Sequence, residues 1–146
     1  MRIYLDCCSI QRPFDDKSQP RIAVEAEAIL VILTLCESDQ LQLISSEAMQ
    51  FEIGRIPDQV RKEEALTILK IAKETVELTS ELEELARRLK DSGLKTLDAL
   101  HLASASISKA DYFCTCDDKL LKKTKNFDGL YTTVVSPTEL VMELDI

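Results

Sequence analysis

Apolar positions along the chain fall into two rhythms. Ile3, Tyr4 and Leu5 form a short continuous run that stops at Asp6, which predicts a buried strand ending on an acid. From Pro20 onward, Ile22, Ala26, Ile29, Leu30 and Leu33 recur at helical spacing, with the proline suited to a helix start. Residues 41–45 alternate as a strand does and then run into a helix-like segment, punctuated by Gly54 and Pro57. Residues 57–75 predict a charged amphipathic helix with Val60, Leu66, Leu69 and Ala72 on its apolar side. Residues 76–79 suit a short strand, and the helix after them has Thr79 or Ser80 as its cap and Gly93 as its stop. The segment KTLDALHLASASISKA is apolar or small nearly all round, which predicts a buried central helix. A strand over 111–116, a short basic helix, a strand over 131–136 and a last helix begun by Pro137 complete the chain.

This alternation of strands and helices predicts an α/β fold. We expect a three-layer α/β/α arrangement with a mainly parallel central sheet, in a single domain over residues 1–146. Ligands of such sheets bind beyond the carboxyl ends of the strands, so the residues just past each strand carry the functional information.

Composition narrows the classes. With 45% hydrophobic residues, only 3 Gly and 4 Pro, the chain has the material for a packed core. A net charge of -8 argues against uniform coating of nucleic acid, but not against a nuclease whose acids sit in a metal site. No apolar run is long enough to span a bilayer and the start lacks a basic region followed by an apolar one, so a cytoplasmic protein is expected, with no membrane partner. The 5 cysteines include no C-x-x-C pair and read as free thiols. Zinc ligation by Cys7, Cys8, Cys114 and Cys116 would require two strand ends to meet. Packing as small buried hydrophobes is the simpler reading.

The candidate chemistry is a set of acids. Asp6 comes directly after the first strand, and Asp117 and Asp118 come after the strand ending near Cys116. Glu47 and Glu52 lie on the helix after the second strand, and Asp98 lies in the first turn of the apolar helix. Taken singly, each has a plain role as a cap, a turn former or a solvated residue. Together, on one edge of a sheet, they would raise each other's pKa, a conflict that a divalent cation resolves. Oxygen donors suit Mg²⁺ or Mn²⁺, and such ions support phosphodiester cleavage. The glycine-rich phosphate motifs G-x-x-x-x-G-K-[ST] and G-x-G-x-x-G are missing.

The segments YLDCCSIQRPFDD, SSEAMQFEI, LKTLDALHLASA and DYFCTCDDKLL, in that order, resemble the successive signatures of the PIN domain, a family that includes the ribonuclease toxins of the VapBC toxin–antitoxin class. The resemblance implies that Asp6, Glu52, Asp98 and Asp117 are the metal-binding and catalytic acids, holding Mg²⁺ or Mn²⁺, and that Thr115 supports them. It implies a metal-dependent endoribonuclease acting on RNA, the toxin component of a type II toxin–antitoxin pair, with a small antitoxin partner and a tendency to form homodimers. The alternative is a non-catalytic PIN-like module that binds RNA or a protein. Cys7 and Cys8 stand where many members carry a small hydroxyl or amide residue. His101 lies near Asp98 on the helix and reads as a hydrogen-bonded core residue or a proton shuttle. Asp118 either supports the site or caps the next helix. Arg12, Lys119 and Lys122 are candidate contacts to RNA phosphates, while Asp15 and Asp16 read as loop acids.

Overall fold

The structure is a computed structural model, and it describes residues 1–125 and 127–144. Five strands, β1 (Arg2–Leu5), β2 (Gln42–Ser46), β3 (Glu74–Val76), β4 (Tyr112–Cys114) and β5 (Thr133–Val135), form one sheet in the order β3-β2-β1-β4-β5. Every pairing is parallel. Leu5 pairs with Cys114 and Ser46 with Val76, so the carboxyl ends lie along one edge. The chain leaves β1 toward β2 on one side and returns from β3 to β4 on the other. The gap beyond β1 and β4 is therefore the switch point at which parallel sheets bind their ligands. The backbone N–H of Asp6 donates to the carbonyl of Cys114 at 3.1 Å and fixes this edge.

Among the described residues, eight α-helices flank the sheet: α1 (Cys7–Gln11), α2 (Pro20–Glu37), α3 (Glu47–Gly54), α4 (Gln59–Leu69), α5 (Ser80–Asp91), α6 (Thr96–Ile107), α7 (Asp118–Thr124) and α8 (Pro137–Glu143). Helix α5 packs on α6, which in turn meets β2 and β4, and α2 packs with α8, which also meets β4. The core is aliphatic: Ile3, Leu5, Leu43, Ile44, Ile29, Ile32 and Leu102 are fully buried. Burying each such side chain contributes about 1.5–3 kcal/mol. The expected α/β fold with a parallel central sheet is the observed one.

Three local expectations are corrected. The stretch between Asp6 and the loop acids Asp15 and Asp16, for which no helix is expected, forms the five-residue α1 and then a 3-10 turn at Arg12–Phe14. No periodicity can show a helix so short; it exists because Asp6 caps it, accepting from Ser9 N–H at 3.0 Å. The third strand is Glu74–Val76, not residues 76–79, because Thr79 is committed to capping α5 through Leu82 N–H. The buried side of α4 is Ala65 and Ile68, whereas Val60 is 64% exposed. Of the expected stripe, Val60 and Leu66 are exposed while Leu69 and Ala72 are partly buried against the core, since α4 packs on α1 and α3 along only one narrow line.

Candidate functional site

A pocket of about 280 Å³ opens at the switch point. It is lined by Asp6, Glu52, Asp98 and Asp117, together with His101 and Arg12. Cys7, Cys8 and Cys116 complete the lining. Four carboxylates far apart in the chain thus reach one cavity, each from the element expected.

Each acid is held differently. Asp6 is 5% exposed and caps α1, while the Cys8 thiol donates to its Oδ1 at 3.1 Å and the Thr115 hydroxyl also donates to it. Thr115 in turn accepts the N–H of Asp117 at 3.0 Å, which ties the first and fourth acids through one hydroxyl. Asp117 caps α7, its Oδ1 accepting from Lys119 N–H at 2.9 Å and from Leu120 N–H at 3.4 Å. Asp98, in the first turn of α6, makes no side-chain hydrogen bond among the described residues.

Glu52 is gripped by His101, whose Nε2 lies 2.7 Å from Oε1. His101 Nδ1 lies 2.6 Å from the Tyr4 hydroxyl, which lies 2.7 Å from Ser46 Oγ. Ser46 Oγ accepts from Met49 N–H at 2.9 Å. One assignment of protons satisfies every member: Ser46 donates to Tyr4, Tyr4 to Nδ1, and Nε2–H to Glu52. His101 is therefore the hydrogen-bonded core histidine of the first alternative, and it also lines the pocket. Tyr4 and Ser46, which back His101 from the core, are residues that sequence reasoning misses. A tyrosine in an otherwise aliphatic strand is the available signal, because a buried hydroxyl needs a partner.

The electrostatics show an uncompensated excess of negative charge. Burial pushes the Asp6 carboxyl above its ordinary range, against the lowering effect of its Thr115, Cys8 and Ser9 hydrogen bonds. Asp98 is also raised, by burial first and then by the charges of Asp6 and Asp117. Glu52 goes the other way: burial raises it, but its interactions with His101 and its bond from Cys7 together outweigh burial and lower it. Burial drives the Cys7 thiol up to about 12, so Cys7 is an inert packing group here. Among the described residues, no three of His, Cys, Asp and Glu stand close enough together to hold a metal ion as they are. The four cysteines near the strand ends accordingly form no zinc site, and all five thiols are free.

Several sequence candidates lie outside the pocket. Asp118 faces Arg21, which donates to both its carboxylate oxygens at 2.6 and 2.7 Å; the cap of α7 is Asp117 instead. Glu47 accepts from Leu78 N–H on the far side. Lys119 and Lys122 are exposed on α7 and do not line the cavity. Arg12 does line it, with Asp15 and Glu25 as its ion-pair partners. Among the described residues, no helix is long and apolar enough to cross a membrane.

No curated protein matches this chain. Among solved structures, it is similar to a chain of VapBC2 from Rickettsia felis bound to a DNA fragment from their promoter, at 16% identity and a TM-score of 0.55 over 92% of this chain and 99% of that one. It is similar to a chain of FitAB bound to an IR36 DNA fragment, at 16% identity and a TM-score of 0.59 over 92% and 94%. PAE2754 from Pyrobaculum aerophilum is similar at 17% identity and a TM-score of 0.57 over 99% and 90%. At these identities the likeness is one of fold. The family model for the PIN domain matches residues 3–126, from β1 through α7, and so takes in all four pocket acids. With most of its length and its whole acidic pocket inside that match, this chain belongs to the PIN domain family.

Proposed function

We propose that the protein is an endoribonuclease dependent on Mg²⁺ or Mn²⁺ and the toxin half of a type II toxin–antitoxin pair. The observation that carries this reading is the convergence of Asp6, Glu52, Asp98 and Asp117 on one pocket at the sheet's switch point. The donor set fits a hard cation: all four are carboxylates, and the raised Asp6 and Asp98 are the groups that a positive ion would return to their charged forms. Because no three donors among the described residues are gathered into a closed cage, a hydrated ion that keeps several of its waters suits the pocket best. Such an ion supplies, when bound, activation of the attacking water and neutralisation of charge on the phosphodiester.

The chain's own residues do the rest. The Thr115 hydroxyl and the Cys8 thiol orient Asp6, and His101 holds Glu52 ionised and directed into the cavity. Asp98, without a competing hydrogen bond among the described residues, is the acid freest to turn toward a ligand. VapBC2 and FitAB among the structural neighbours support an antitoxin partner, and the homodimer rests on the resemblance of the sequence alone.

The test is cleavage of RNA with Mg²⁺ or Mn²⁺ by wild type, Asp6→Asn and Asp98→Asn. Asparagine keeps the Asp6 cap of α1, so a loss of activity reports chemistry and not unfolding. Activity that survives both changes would falsify the assignment. The second reading, a binding module that does not cut, draws on the same absence of an assembled donor set among the described residues and on the Glu52–His101 pairing. RNA affinity without any metal binding in calorimetry would select it.

A further inference from the structure

A charged chain unused by the proposed chemistry runs beside the pocket. Arg61 on α4 pairs with Asp15 at 2.5 Å, and Asp15 pairs with Arg12 Nη1 at 3.0 Å. Arg12 Nε lies 3.3 Å from Glu25 Oε1 on α2, Glu25 Oε2 lies 3.6 Å from Arg21, and Arg21 clasps Asp118 on α7. Charges alternate along all six residues. Arg12 stands in the middle and is the one member that lines the acidic pocket.

Glu25 is the anomaly in this chain. It is 4% exposed on a helix whose neighbouring buried positions are Ala26, Ala28 and Ile29. A buried carboxylate is costly unless it is paired, and its partners here are Arg12 and, more distantly, Arg21. The pairing is incomplete: Arg12 Nε and Glu25 Oε1 face each other off the hydrogen-bonding angle and count as buried atoms with no hydrogen-bond partner. A guanidinium carries five N–H donors in a rigid fork. One is spent on Asp15, Nε has no hydrogen-bond partner among the described residues, and Arg12 lines the pocket, so most of the fork is uncommitted there. A lone fixed arginine among four acids does not serve a bare cation. It serves an anion that arrives with one.

We infer that Arg12 contacts a backbone phosphate of the RNA at the mouth of the acidic pocket, and that the buried Glu25 is the residue that positions it. This rests on the nuclease reading of the pocket for the identity of the anion. Glu25 and Asp15 brace the fork from two sides, so the guanidinium cannot fold down onto Asp6 or Asp117 and quench the cation site. Lys119 and Lys122, exposed and unbraced on α7, lack such support.

The test measures binding of a labelled single-stranded RNA of mixed sequence, with Mn²⁺ present, to Asp98→Asn protein so that cleavage is blocked, and cleavage in parallel with Asp98 intact. Arg12→Gln should weaken RNA binding about 10- to 100-fold, the size of one lost charge-assisted hydrogen bond. It should also make the plot of log affinity against log salt shallower by about 0.7, one phosphate contact on a single strand. A merely structural arginine would shift the melting temperature and leave that slope alone. Glu25→Gln should weaken binding when Arg12 is present and add nothing to Arg12→Gln. Arg12→Lys keeps the charge and loses the fork, so it should keep most of the slope and lose affinity; it carries the test if Arg12→Gln fails to fold. RNA binding and cleavage by these variants at wild-type affinity and slope overturn the inference and leave the nuclease reading standing. Binding that depends on Arg12, with no cleavage by the wild type, upholds the inference and removes the nuclease reading. No RNA binding by any form overturns both.

Discussion

Replacing Tyr4 by phenylalanine deletes one oxygen from the middle of the hydrogen-bonded chain that ends on Glu52. The ring itself is kept: it is fully buried and stacks on Phe113 at 5.4 Å, so the apolar packing hardly changes. The loss is two buried hydrogen bonds, to Ser46 at 2.7 Å and to His101 Nδ1 at 2.6 Å. Ser46 still accepts from Met49 N–H, so its share is that of an ordinary hydrogen bond, about 1 kcal/mol. His101 is 2% exposed, and its orphaned Nδ1 costs about 1–3 kcal/mol more. The sum, about 2–4 kcal/mol, is a large part of what holds a domain of this size together. Urea unfolding followed by circular dichroism measures it: at a slope near 2 kcal/mol per M, the midpoint falls by about 1–2 M with the slope unchanged. A double-mutant cycle with His101→Gln returns a coupling of about 1 kcal/mol or more. A Tyr4→Phe protein within about 0.5 kcal/mol of wild type, or a cycle with no coupling, refutes the idea that this hydroxyl links the core to Glu52.

Three further outcomes are expected. Asp98→Asn raises the melting temperature in metal-free buffer while abolishing cleavage, because it removes a carboxylate that burial and its acidic neighbours disfavour. A carboxyl raised in the folded state holds its proton longer than in the unfolded chain, so its penalty grows as pH climbs from the ordinary carboxylate range through the raised value. The stability gap between Asp98→Asn and wild type should therefore widen over that range, and a gap that closes there sinks the claim. Added Mn²⁺ raises the wild-type melting temperature, by about 2.7 kcal/mol of stability at 100 times its dissociation constant, and raises that of Asp6→Asn far less; equal shifts would place the ion elsewhere. Mild peroxide converts the Cys8 and Cys116 thiols, which both line the pocket, to a disulfide with release of two waters, and cleavage falls. Cys8→Ser should be resistant, and equal sensitivity in that variant would rule the pair out.

Much of the site is legible in the sequence because parallel sheets put their chemistry at strand ends. Asp6 and Asp117 stand just past β1 and β4, and Asp98 stands out in a helix with little other polar surface. The parts that stay hidden depend on contacts between distant segments. Nothing near Glu52 announces that a histidine 49 positions away will hold it. Asp15 reads as a loop acid because its two arginine partners come from the 3-10 turn and from α4. Glu25 does leave a trace, an acid beside Ile22, Ala26 and Ile29 on the apolar side of α2, and a charge in that place requires a partner. The exposure of Val60 and Leu66 on α4 has a different cause. Its sequence offers two weak stripes, and only the packing of neighbouring elements chooses between them.

Asp6 and Asp117 each begin a helix as well as lining the pocket. Asparagine begins a helix about as well as aspartate does, and the two residues are one nucleotide apart in the genetic code. On the nuclease reading, a lineage can therefore silence this pocket in a single step and still inherit a well-folded protein. Descendants with Asn at either position should be common, stable and inert, and a reversion should be just as short.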